Sequence, residues 1–396
     1  MAYIPLQLPS RRPQNFKYLW LVFWGDLGLF NRVSHCWPRE GDPIFASHFA
    51  TWDAAHYLFL SEEGYQSAFN SRAFYPLWPM ATRWSSVFFG GSHLISGIVL
   101  ANLCSLGAFI LFYRIVLEKH GKDIAFWAVL FLVLFPGSLF YQFHYSEPLF
   151  FLLVMGLWWG LEKGCDEWVW AAGFLLPLSR PVGVVSVVPI AWHLAMRHPL
   201  PGLGWLTRWG RSESEEVQKG DEGGDSQGQW SNLRFYKLLA APLMGFGAYL
   251  TFMWASTGYP LEGIHAQRGW GVHSVSNLVN LPKFVMELVA PVHWHSFRGS
   301  LLDRCLFWFM LHTVPILWRL DKGLLAWFYM LAIFPAMSGS YVSFTRYGST
   351  VFPVFLALAW YLHLQKSLWT RGLILILFAI LHLVLVWRFV NFRWAG

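Results

Sequence analysis

The feature that most constrains this chain is a recurrence of long apolar blocks separated by short polar segments. Blocks of about 17–25 residues are what the hydrocarbon core of a bilayer demands of a helix. In that core every backbone polar group must find its partner inside the segment, which a helix provides. The blocks read as spans near residues 16–33, 93–115, 124–141 and 148–161, two short helices over 168–192, then 235–255, 301–318, 324–337, 350–364 and 373–387. Pro177, Arg180 and Pro181 break the 168–192 stretch, so its two halves are expected to meet at the far membrane face. Only 13% of residues are charged, against about 25% in soluble domains. That excludes a soluble enzyme, a disordered chain and a collagen-like fibre. The expected fold is an all-α polytopic membrane protein of about eleven transmembrane helices, within a range of about 8–12, with helical outer loops. The whole chain, residues 1–396, reads as one transmembrane domain.

Orientation follows from the basic residues in short loops. With the N-terminus inside, the cytoplasmic segments hold Arg11, Arg12 and Lys17, then Arg114, Lys119 and Lys122, then Lys163. Further on they hold Arg197 to Lys237, Arg319 with Lys322, and Lys366 with Arg371. The net charge of +7 is read as these basic loops rather than as a nucleic-acid surface. No cleavable signal peptide is expected, because the first apolar block follows a polar, Pro-containing lead. Cys36, Cys104, Cys165 and Cys305 have no paired spacing, so neither a disulfide framework nor a zinc site is implied. His293 and His295 form an H-x-H pair without a third ligand, and no metal is expected there.

Three loops are long. The cytoplasmic loop 197–234 contains Gly210–Gln229, a Gly-, Ser- and acid-rich stretch with the composition of a solvated linker. The outer loops, 35–92 and 257–298, mix acids, His, aromatics and Pro instead. Residues 278–289 have helical apolar spacing suited to the membrane surface.

The densest chemistry lies in the first outer loop, in TWDAAHYLFLSEEGYQSAFNSRAFYPLWP, residues 51–79. Asp53 stands between Trp52 and Tyr57, with His56 three positions on and therefore on the same helix face. A carboxylate at the membrane surface is partly desolvated, which raises its pKa and suits a general base. Asp is also a favoured helix N-cap, and spacing alone leaves both roles open. Glu62 and Glu63 read as a solvated helix end. His144 and Glu147 form a second pair three apart, where Glu147 can bind substrate or simply favour a helix N-terminus. Arg180 and Arg346 can fork onto phosphate oxygens, or snorkel to headgroups.

The run W-D-A-A-H-Y-x6-G-Y followed by A-F-Y-P-L-W-P resembles the first outer loop of the PIG-V type mannosyltransferases. Tyr145-Ser146-Glu147, Leu178 to Gly183 (LSRPVG) and Arg346-Tyr347 before Pro353 are similar to further segments of that family, in the same order. The departures are Tyr75 and Trp78, and a loose match around Gln267 and Trp270. The flavour is that of the bacterial members.

The resemblance implies a GT-C glycosyltransferase that takes a hexose, mannose first, from a polyprenyl- or dolichyl-phosphate carrier on the outer or lumenal face. Transfer would invert the sugar, and Asp53 matches the acid expected as base. Arg180, Arg346 and His56 would hold the donor phosphate. Trp52, Tyr57, Tyr75, His144, Glu147 and Gln267 would contact substrate. The residues agree on one point: the chain has no D-x-D motif of the kind that holds nucleotide sugars through a metal. No cofactor and no nucleic acid is expected. The partners are the lipid donor, a lipid-linked or surface glycan or protein acceptor, and membrane lipids. The location is a bacterial inner membrane, or the ER membrane in a eukaryote. Two other readings are a transporter or lipid flippase, and a non-catalytic GT-C-like subunit. Transporters place charge near the midplane and often show repeated halves. Here charge gathers at outer span ends and no repeat is evident, Asp26 apart.

Overall fold

The computed structural model describes residues 47–65, 70–197, 226–268, 270, 281–290, 293–297, 300–338 and 341–396. The first expected span and most of the 210–229 linker lie outside the described residues. Among the described residues the structure is all helix with no named strand. Among the described residues four helices are long and apolar enough to cross a membrane, His93–His120, Leu233–Thr257, Leu301–Leu320 and Leu368–Val390, fewer than the spans expected from the apolar blocks.

Two short helices of the first outer loop come first, α1 (Asp53–Glu63) and α2 (Leu77–Ser85). The long helix α3 (His93–His120) follows, started by Ser92, whose hydroxyl accepts from the Ile95 amide at 3.3 Å. It ends at Gly121, whose φ of 86° few other residues adopt. Helix α4 (Lys122–Leu134) runs into a 3₁₀ segment, Pro136–Tyr141. Then come α5 (Glu147–Lys163), opened by Pro148, and α6 (Asp166–Ser179). Beyond Arg180 a 3₁₀ turn, Pro181–Ser186, leads into α7 (Val187–Arg197). The break predicted from Pro177 and Pro181 is therefore present, with Arg180 at the junction. Gly183 makes the reversal possible, because a Cβ there would stand 2.2 Å from the Leu176 carbonyl oxygen.

The second half comprises α8 (Ser226–Thr257), α9 (Glu262–Arg268) and α10 (Leu281–Val289), the last inside the segment read as a surface helix. Helices α11 (Leu301–Leu311) and α12 (Val314–Leu320) follow, then α13 (Gly323–Phe328), a π segment (Tyr329–Ile333) and α14 (Phe334–Ser338). The chain closes with α15 (Phe344–Gly348), α16 (Phe352–Gln365) and α17 (Leu368–Val390). The described tail of the linker, residues 226–229, is the first turn of α8.

The buried core is aromatic. Phe352 is fully buried, stacked on Trp158 at 4.5 Å between ring centroids and met edge-on by Trp327 at 5.5 Å. The charged residues separate to two ends. At one end Lys119 pairs with Glu162 at 2.6 Å, Lys163 with Glu118 at 2.7 Å, and Arg234 with Asp166 at 2.7 Å. These are the ends assigned to the cytoplasm by the basic-loop rule. The opposite ends of two of these helices carry Glu147 and Arg180, which pair across to Arg346 and through it to Asp53 on short helices of their own.

Candidate active site

Asp53 is the first residue of α1 and makes no cap to that helix. Its Oδ2 instead pairs with Nη1 of Arg346, 293 positions away. Asp53 thus has a guanidinium partner where the sequence suggested a lone desolvated carboxylate. The residue before it, Trp52, adopts φ 55°, a left-handed conformation that costs an ordinary side chain on the order of 1–3 kcal/mol. Trp52 is fixed by its indole N–H, which donates to the Arg393 carbonyl at 3.1 Å, and by the Trp394 ring edge-on at 5.2 Å.

Arg346 arrives on α15 after a turn in which Tyr341 and Ser343 are also left-handed, at φ 62° and 60°. The Thr345 amide and hydroxyl both donate to Asp303 Oδ1 of α11. From the other side Gly137 packs so closely that a Cβ would lie 1.8 Å from the Thr345 carbonyl oxygen. The position of Arg346 is therefore set by contacts on two sides.

Glu147 joins the two arginines. Its side chain is 1% exposed; Arg346 Nε stands 3.0 Å from its Oε1, and Nη1 of Arg180 pairs with the same oxygen. Both are charge contacts without well-aligned hydrogen bonds. Asp53, Arg346, Glu147 and Arg180 form one chain of alternating charge, neutral in sum. Burial alone would lower the pKa of both guanidiniums. Asp53 beside Arg346 and Glu147 beside Arg180 outweigh that effect and push both up. Tyr347 adds a ring 4.7 Å from the Arg180 guanidinium and 5.0 Å from that of Arg346, and accepts from Arg346 Nη2 at 3.1 Å.

Asp53, Arg180 and Arg346 line a cavity of about 350 Å³ whose remaining wall is largely apolar. Tyr57, Tyr75 and Gln267 line it too, with Trp270, Phe297 and Trp394 among the aromatics. The Tyr57 hydroxyl lies 2.7 Å from Ser146 Oγ, and burial followed by the Glu147 charge pushes its pKa up, so it remains a neutral hydroxyl. Tyr75 stacks on Tyr249 at 4.1 Å.

Four of the expected residues stand away from the cavity wall. Glu147 is behind it, as the link between the arginines. His144 is fully buried, with Nε2 3.1 Å from Thr82 Oγ1, and burial pushes its pKa down to about 3. His56 shares a bond of 2.7 Å with Ser71 Oγ and sits behind Phe74 and Trp270, at 5.0 and 4.9 Å. Trp52 holds the C-terminal segment instead. His56 and Asp53 share a helix but serve different partners.

Asp303, Thr345, Tyr347, Ser146 and Gly137 are site residues that the sequence reading did not select. Asp303 carried a usable signal: an acid within an apolar span is a functional candidate by default. Tyr347 stood beside Arg346 in the quoted Arg-Tyr pair. Gly137 and Thr345 carried no signal, because their role depends on contact between distant segments.

A family model described as Mannosyltransferase (PIG-V) matches residues 42–198. The GPI alpha-1,6-mannosyltransferase 2 of Rattus norvegicus is 33% identical over 149 residues, which is 34% of this chain and 30% of that protein. The Homo sapiens protein of the same name is 31% identical over 151 residues, 34% of this chain and 29% of that one. The match thus covers less than a third of the length of either relative. Among solved structures, the archaeal oligosaccharyltransferase AglB from Archaeoglobus fulgidus, with an inhibitory peptide and a dolichol-phosphate, is 14% identical with a TM-score of 0.43. That alignment covers 91% of this chain and 54% of AglB. The stretch matched by the family model contains Asp53, Glu147 and Arg180, while Arg346 lies beyond it. The family that this chain resembles, through residues 42–198, is that of the PIG-V mannosyltransferases.

Proposed function

We propose that this chain is an integral-membrane glycosyltransferase of the GT-C type, moving a hexose from a polyprenyl- or dolichyl-phosphate carrier to an acceptor hydroxyl. Mannose is the sugar named for its relatives. The observation that carries the reading is one carboxylate and two guanidiniums facing one largely apolar cavity. An inverting displacement needs that set: a base for the acceptor hydroxyl and cations for the leaving phosphate. The acceptor oxygen attacks the anomeric carbon, the bond from that carbon to the phosphate oxygen breaks, and the acceptor proton passes to Asp53. The lipid phosphate leaves as an anion held by Arg180 and Arg346. Its apolar tail suits the apolar wall.

The ion pair adds a coupling between the two substrates. Arg346 occupies Oδ2 of Asp53, and the incoming donor phosphate competes for the same guanidinium. Donor binding then draws Arg346 from Asp53 and exposes the base as the leaving group is secured. The cluster lies at the helix ends opposite the basic loops, which supports placing the reaction on the outer or lumenal face of a bacterial inner membrane or the ER membrane.

The test is donor choice by the purified full-length protein in detergent. Radiolabelled polyprenyl-phosphate mannose and nucleotide-linked mannose are each offered with membrane lipid extract. Label is expected to leave the lipid donor only; transfer from the nucleotide sugar alone contradicts the reading.

A further inference from the structure

A second cavity, of about 290 Å³, lies at the opposite end of the helices, where α3, α5, α7 and α13 meet. It is far richer in charge than the first. Lys119, Glu162, Arg197 and Asp321 line it, each from a different segment. We infer that this cavity is a binding site for an aminoalkyl phosphate, a zwitterion with a primary ammonium and a phosphate, as in a phosphatidylethanolamine headgroup.

Internal pairing leaves part of the hydrogen-bonding capacity in this cavity unused. Glu162 is spent: Lys119 Nζ is 2.6 Å from its Oε1, the Trp158 indole N–H donates to the same oxygen at 3.1 Å, and Arg197 Nη2 stands 3.8 Å from Oε2. Lys119 and Arg197 are not spent. An ammonium has three N–H donors and a guanidinium five. Lys119 is hydrogen-bonded to Glu162, and Arg197 to the carbonyls of Leu161 and Glu162 at 2.9 and 3.2 Å, so among the described residues both keep N–H groups over. The buried Nε2 of His193, also in the cavity wall, has no partner among the described residues. These groups suit one phosphate.

Asp321 supplies the opposite sign. Its Oδ1 accepts from the Gly323 amide at 2.7 Å, while Oδ2 lies 4.0 Å from Lys119, beyond hydrogen-bond reach. A simple anion would compete with Asp321 for Lys119 and be repelled by the carboxylate, and a simple cation would meet Lys119 and Arg197. A ligand with both charges answers both, with the Trp158 and Trp327 rings as walls for its ammonium end. The site sits where one leaflet's headgroups meet the basic helix ends. A free phosphoethanolamine carries the same chemistry.

The test uses the full-length protein released from nanodiscs of equal phosphatidylethanolamine and phosphatidylglycerol, with retained lipid read by native mass spectrometry. Thermal unfolding in detergent with O-phosphoethanolamine or inorganic phosphate forms the second arm. Retention of phosphatidylethanolamine about tenfold over phosphatidylglycerol identifies a lipid ligand. A rise in unfolding temperature with O-phosphoethanolamine but not phosphate, with no lipid retained, identifies a soluble one. Asp321→Asn keeps the acceptor for Gly323 and should erase the preference in whichever arm shows it. Arg197→Gln should weaken binding about tenfold. Equal retention of the two lipids with no shift by O-phosphoethanolamine overturns the proposal, as does a preference that survives Asp321→Asn.

Discussion

Arg346 reaches across 293 positions to pair with Asp53, and the two side chains, 8% and 9% exposed, face the same cavity. The pair ties the first described helix to a short helix near the end of the chain. Glu147 then extends the tie to Arg180, so that the base and both phosphate-binding cations of the proposed reaction belong to one network.

The three nitrogens of Arg346 face three different groups: Nη1 Asp53, Nε Glu147 and Nη2 Tyr347. Lysine keeps the charge but cannot reproduce three directions at once. Arg346→Lys should therefore lower transfer at least tenfold, with a rise in KM for the lipid donor. Steady-state rates at varied donor concentration check this; an unchanged KM and rate would remove Arg346 from the donor site.

Glu147 is the only carboxylate that touches both arginines among the described residues. Glu147→Gln leaves Arg180 without its charge partner in a buried setting, which costs about 3–5 kcal/mol when one member of such a pair is removed. A fall in the unfolding temperature in detergent is expected. A variant as stable as the parent would mean that the arginines find water or each other's partners instead.

Gly137 offers a test that leaves all charges in place. In Gly137→Ala the new methyl collides with the Thr345 carbonyl and must shift the backbone that carries Arg346. Activity should fall about tenfold or more, since displacements of about 1 Å at a site can cost 100-fold. Gly156→Ala is the matched control, with nothing within 4 Å of its Cβ, and should be active.

The buried histidines predict a pH effect. Burial holds His144 and His295 in the neutral form, with pKa values pushed down to about 3 in each case. Their ordinary value is about 6.5. Below that, the unfolded chain binds protons that the folded chain refuses, so stability falls as pH falls, between about pH 6.5 and 3. Each group contributes a slope of about 1.4 kcal/mol per pH unit in that window. Unfolding temperatures from pH 7 to pH 4 check this, and His144→Gln should flatten the slope. A slope unaltered by that change would contradict the assignment.

The fold was legible where it depended on local sequence. Apolar block length placed most of the described helices, of which four are long and apolar enough to cross a membrane, and Pro177 with Pro181 located the break that presents Arg180. Asp53, Arg180 and Arg346 were singled out by residue type and by family resemblance, and the fold brings all three to one cavity wall. What could not be read was how those segments meet. Glu147 read as a substrate contact or a helix-end partner, and its pairing with Arg180 and Arg346 was not readable because they lie 33 and 199 positions on by their numbers. His56 shares a helix face with Asp53 by spacing, yet aromatic packing against Phe74 and Trp270 takes it out of the cavity wall. Gly137 and Thr345 gain meaning only from the contact between them.

If Asp53 is the base of a lipid-donor transfer, removing its charge must slow the reaction without unfolding the protein. The transfer rate of purified Asp53→Asn is measured beside the parent, with polyprenyl-phosphate mannose as donor and an unfolding curve for each protein. A folded variant is expected, with transfer lower by about 100-fold or more, in the range that general-base catalysis supplies. A folded Asp53→Asn protein with near-parental transfer would contradict that role for Asp53.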